Sequence, residues 1–196
     1  MGNTFLYRMP AGISGASSSP QDLTVEPQLL DSSNLFPAYG LGGKISSGKF
    51  VPIAASDEAS VLVGIYVRPY PTASQPDKVQ QVGSGKNFTG DCLVRGYVTV
   101  NLGADASSVA LHGPVYMRVA TPSASSPLGA FLAAADGSNT VQSTNAFFNG
   151  PGDTSGNVEL ACSIWGNRKC RGRLTRQQST ALVPFLPMSW SVLIRH

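Results

Sequence analysis

The chain has 196 residues and a mass of 20.5 kDa, which suits one domain with an appendage. Only 13% of its residues are charged, against 42% hydrophobic, which excludes disorder driven by charge repulsion and leaves an exterior poorly protected against association. The net charge of +3 hides a division, because residues 1–159 carry 8 Lys/Arg against 11 Asp/Glu, whereas residues 160–196 carry 6 Lys/Arg and no acid.

No apolar stretch approaches the roughly 20 residues of a membrane span, and no basic segment leads into an apolar one. The expectation is a soluble protein, made in a bacterial cytoplasm and without a membrane partner. Gly and Pro number 21 and 14 and cut every apolar run to strand length.

Residues 1–22 mix Gly, Ser, Ala and Pro and read as an extended N-terminal arm. A β body follows over residues 23–164. Its first strand, 23–31, carries Pro27, which restricts it to an edge or a bulge. Two short pieces over 39–53 are punctuated by glycines and by Ser46, Ser47 and Gly48. Residues 61–67 are continuously apolar and β-branched, the pattern of a central strand buried on both faces. Polar residues 72–90 read as a long exposed loop and a contact element. In 91–102 the alternation puts Cys92, Val94, Gly96, Val98, Val100 and Leu102 on the core face. Strands over 114–119 and 128–135 come next, the latter with Ala133–135 as an alternative helical turn. Ala146 to Phe148 lead into a strong turn at 149–153, and 157–165 closes the body. About nine strands separated by turns, with no helical interludes, predict an all-β fold: an antiparallel sandwich or small barrel, jelly-roll-like.

Residues 165–196 change texture, running basic and then apolar. Arg168, Lys169, Arg171, Arg173 and Arg176 form the basic half. Phe185 and Trp190 are the large side chains of the apolar half, residues 182–194, which Pro184 and Pro187 break. These seven are the candidate partner contacts, suited to a strap across a neighbouring subunit. A basic run also neutralises phosphates, but no aromatic stands between 166 and 184 to stack on bases, so nucleic acid is not the expected partner.

The inventory for catalysis is thin. Only His112 and His196 offer an imidazole, and His112 beside Gly113 and Pro114 reads as a loop or strand-entry residue. No serine-hydrolase elbow is present, and residues 83–87 lack the spacing and the closing Ser or Thr of a phosphate loop. Asp57, Glu58, Asp136 and Asp153 sit where carboxylates support turns. Cys92, Cys162 and Cys170 match no zinc spacing and read as reduced, buried thiols. No enzyme activity, metal or cofactor is expected.

Several segments, in order, are similar to the structural cement (decoration) proteins of tailed-phage heads. They are residues 9–15, Thr24 to Gln28, Ala38 to Gly40, Gly64 to Pro71, Arg95 to Val100, Val115 to Val119, and Ala146 to Asp153 followed by Gly156 to Leu160. The resemblance implies a non-enzymatic virion protein on the outer capsid surface that bridges major capsid protein subunits, possessing no catalytic residues to transfer. It implies neighbouring copies, as dimer or trimer, among the partners. Residues 165–196 depart from the family pattern. The alternative is a carbohydrate-binding or adhesin-like β module of a virion, prompted by Tyr66, Tyr70 and Tyr97.

Overall fold

The computed structural model describes residues 12–69 and 89–164. Nine strands build these residues: β1 (Thr24–Leu29), β2 (Gly42–Ser46), β3 (Lys49–Pro52), β4 (Gly64–Val67), β5 (Thr89–Asn101), β6 (Leu111–Arg118), β7 (Phe131–Leu132), β8 (Thr140–Asn149) and β9 (Asn157–Ser163). The strand order is β3-β2-β4-β5-β9-β8-β6-β7, β1 pairs with β5, and every pairing is antiparallel. The sheet curls into a half-barrel, and the described residues contain no α-helix, only two three-residue 3₁₀ turns. The all-β, antiparallel expectation holds.

Local sequence explains the joints. Ser47 and Gly48 connect β2 to β3 with φ of 50° and 77°, the two positive φ values of a type I′ hairpin whose twist suits the flanking strands. Residues 140–149 form one ten-residue strand, longer than the Ala146–Phe148 stretch that its apolarity marks, because Thr140, Gln142 and Ser143 pair with Arg118, Tyr116 and Val115.

The core has two parts. The larger gathers Ile65, Val67, Leu93, Val98, Val100, Met117, Phe131, Phe148 and Leu160 among others. The smaller holds Leu30, Phe36, Leu41, Phe50, Tyr66, Cys92, Val94 and Ala130. Strand β4 separates them, with Ile65 and Val67 on one side and Tyr66 on the other, so its continuous apolar run is buried on both faces as expected. Full burial of an aromatic such as Phe50 or Phe131 stabilises by roughly 1.5–3 kcal/mol over exposure.

Strand β5 departs from simple alternation. Val98, Val100 and Leu102 face the larger core, but Cys92 and Val94 face the smaller one, and Leu93 takes their place. The cause is a bulge: Thr24 lies opposite Arg95 and Val25 opposite Leu93, leaving Val94 as an extra residue that reverses the parity. Gly96 follows at φ 131°, where a Cβ would stand 2.7 Å from the Asp22 carbonyl oxygen and 2.9 Å from Leu23 Cα. Only glycine lets β1 enter here.

Residues 12–18 run along β5. The Gly15 N–H donates to the Thr99 carbonyl (2.7 Å), the Thr99 N–H to the Ala16 carbonyl (2.9 Å) and the Ser18 N–H to the Tyr97 carbonyl (3.2 Å). Both backbone groups of Thr99 are thereby taken, so this segment lies on the edge of β5 away from β9. The remaining strand edges are blunted: Pro27 interrupts β1, Pro52 ends the outermost β3, and Pro114 stands in β6 beyond the reach of the two-residue β7.

Candidate interaction surface

All seven tail residues singled out from the sequence, Arg168, Lys169, Arg171, Arg173, Arg176, Phe185 and Trp190, lie outside the described residues. So do residues 70–88, with Tyr70 and the Gly83–Lys86 segment, and Cys170, whereas Thr89 and Gly90, expected within the exposed loop at 72–90, belong to β5. The described body can be assigned side chain by side chain.

Its carboxylates are occupied with backbone and loops. Asp57 accepts Lys44 at 2.7 Å and the Ala54 N–H at 2.7 Å. Asp136 meets Arg118 at 3.2 Å and accepts the Asn139 amide. Asp153 accepts both the backbone N–H (2.8 Å) and the side-chain amide (3.1 Å) of Asn157. The turn roles expected for these acids are what they have. Asp31 caps its own turn through the Ser33 N–H and pairs with Lys49, and those contacts hold its carboxyl below the usual value. Asp105 is lowered in the same way by Ser107, whereas burial raises Asp91. Asn149 donates to Glu159 across β8 and β9.

Arg118, whose side chain is 11% exposed, organises the adjacent loops by donating to Ser126 Oγ (2.8 Å) and to the Ala120 and Thr121 carbonyls. Arg68 is buried: its Nε donates to the Ser14 carbonyl (2.8 Å), and its guanidinium lies 4.8 Å from the Tyr39 ring centroid. Tyr39 stacks on Tyr66, and Tyr66 on Phe36, with centroids 5.0 and 4.5 Å apart. Tyr66, 5% exposed, is therefore a core residue, contrary to the exposed position that suggested a sugar platform, and burial raises its phenol. The continuous apolar run could have shown this, since Tyr66 sits within a strand buried on both faces.

Cys92 and Cys162 are buried, as expected, and burial pushes the Cys162 thiol up to about 12. His112 adopts φ 58° and sets its ring edge-on to Phe147 at 5.0 Å. Among the described residues no group of three or more His, Cys, Asp or Glu could hold a metal ion.

Among the described residues, two hollows stand out on the surface. The larger, about 820 Å³, is lined by residues 37–41, Arg68, Asn101 and Ser123 to Ser125 among others. Its amide Asn101 is committed to the Ser155 carbonyl, the Asn157 side chain and the Gly103 N–H. The other, about 520 Å³, lies across β5, β9 and β8. Tyr97 pairs with Ala161 and Ala161 with Phe147, so the three stand in one row with the small residue between two aromatic ones. Phe147 and Leu111 are exposed, at 39% and 62%. Sequence reading missed this trough, because its signal is the register between strands.

The described body is thus all-β, with residues 12–18 laid along its sheet and Leu111 and Phe147 exposed on its exterior. The chain belongs to the XM1 gp53 minor capsid protein family, whose model matches residues 2–162. It is thus a phage capsid-associated protein, in keeping with the resemblance read from the sequence. Its fold is similar to that of a chain in the solved structure "The capsid of Myoviridae Phage XM1", with a TM-score of 0.60 and 16% identity over 82% of this chain and 96% of that one. No curated protein matches the sequence. The family match stops at residue 162, short of the basic and apolar tail.

Proposed function

We propose that this protein is a non-enzymatic cement protein that binds the outer face of a tailed-phage head and bridges major capsid protein subunits, with neighbouring copies as further partners. Membership of a minor capsid protein family is the observation that carries the reading. The physical support is the exterior. Among the described residues, Lys44, Lys49, Arg95 and Arg118 are each bound to an Asp, and the large apolar side chains of Leu111 and Phe147 stand out of the surface.

A clip of this kind adds binding free energy that must be lost before shell subunits separate. Several weak contacts suffice, because a protomer held at one point meets its second site at high effective concentration. In this reading residues 1–22 serve as an arm and residues 165–196 as an extension. Arg168, Lys169, Arg171, Arg173 and Arg176 lie on acidic shell surface, and Phe185 and Trp190 are the apolar anchors. The glycan-binding alternative loses one of its three tyrosines with the burial of Tyr66.

The test is to prepare heads lacking the protein and expose them to heat and osmotic shock. Earlier rupture, reversed by adding the purified protein, is the expected result; equal survival would remove the proposal. Deleting residues 165–196 should lower occupancy on the head, and undiminished occupancy would remove the tail from the contact.

A further inference from the structure

The groove across β5, β9 and β8 has the geometry of a seat. Ala161, 5% exposed, forms its floor, and its in-register neighbours Tyr97 and Phe147 form its walls. Phe147 leaves 39% of its surface in solvent, which is costly for a large apolar ring in a folded body. The charged groups beside the groove, Asp22 and Arg95, pair with each other at 2.9 Å. The groove therefore selects an uncharged apolar occupant, and its volume of about 520 Å³ lies within the usual range for sites that enclose a small ligand.

The chain itself supplies such an occupant. Ser163, the last residue of β9, also lines the groove, and the described chain ends one residue later. The sequence continues through 17 residues, 165–181, to a segment without any charge, residues 182–194, containing Phe185 and Trp190. A linker of that length reaches at most about 60 Å, so the groove is within range. The basic residues 168–176 are not the occupant, because the one carboxylate at the groove is already matched by Arg95.

We propose that, in the free protein, residues 182–194 seat Trp190 in the groove between Phe147 and Tyr97 of the same chain. Tethering favours the chain's own tail over another copy's, since a segment on a short linker meets its site at an effective concentration of order millimolar. The proposal goes beyond the capsid reading and is tested without a capsid, so either can fail alone.

The chain has two tryptophans, Trp165 and Trp190, so the Trp165→Phe protein carries Trp190 as its sole indole reporter. Its emission should be blue-shifted and shielded from acrylamide, equally at low and high protein concentration. Adding Phe147→Asp should shift the emission to the red and raise quenching. Thr144→Arg, at an exposed position of the same groove, should do the same, with circular dichroism unchanged in both. Solvent-like emission in Trp165→Phe alone, or emission that neither groove variant moves, would overturn the proposal. Shielding that appears only at high concentration would assign the seat to a neighbouring copy and overturn it as well.

Discussion

Arg68 lies over the ring of Tyr39 while its Nε donates to the carbonyl of Ser14, so one buried guanidinium fastens residues 12–18 to the aromatic stack of Tyr39, Tyr66 and Phe36. A cation on a desolvated ring contributes about 2 kcal/mol or more, and a hydrogen bond from a charged donor about 1.5–3 kcal/mol. Arg68→Ala should therefore lower unfolding free energy by about 2–4 kcal/mol. Arg68→Lys should recover little of it, because an ammonium lacks the planar face. Urea titration followed by tyrosine fluorescence checks both.

Two glycines with positive φ should respond differently. Gly48 has open space around its missing Cβ, so Gly48→Ala should cost only the conformational penalty, about 1–2 kcal/mol. At Gly96 the same substitution adds a clash with the backbone of Asp22 and Leu23. Gly96→Ala should be clearly the more destabilising and should increase hydrogen exchange in β1, read by mass spectrometry.

Acid should weaken the fold through Asp31 and Asp105. Both carboxyls are held below the ordinary 3.8 in the folded protein, so their contribution is present above that value and is lost as pH falls through their folded values. The melting temperature should drop below about pH 4, and Asp31→Asn should show a shallower fall. Asp91 has the opposite sign: burial raises it, so its ionisation costs stability as pH rises from 3.8 through its folded value. Asp91→Asn should raise the melting temperature at neutral pH.

Thiol chemistry offers a further test. Cys92 has no exposed surface, and burial holds the Cys162 thiol protonated, with its value near 12. Since thiolate is the reacting form, both should resist a thiol-specific reagent at pH 8 in the native protein. The Cys170→Ser variant should show two reactive thiols after unfolding and none before it.

The large apolar features were legible in the sequence. The apolar run at 61–67 announced a strand buried on both sides, which begins at Gly64, and the turn residues marked several strand boundaries to within a few positions, though β8 opens at Thr140, six residues before Ala146. What escaped was non-local. A period-two pattern carries no sign of a bulge, so the parity change at Val94 follows only from the opposition of Thr24 to Arg95. In the same way the Phe147, Ala161 and Tyr97 trough exists because three strands place those residues in one row. Tyr66 misled because a phenol suggests exposure, whereas its neighbours in sequence demand burial.

The prolines on the outer strands set a limit on how copies of this chain join. Lacking N–H donors at Pro27, Pro52 and Pro114, one sheet cannot simply be continued into the next. Growth of fibres by strand addition along these described edges is thereby checked. If the protein binds a capsid surface as proposed, order among its copies comes from that surface rather than from strand addition between them.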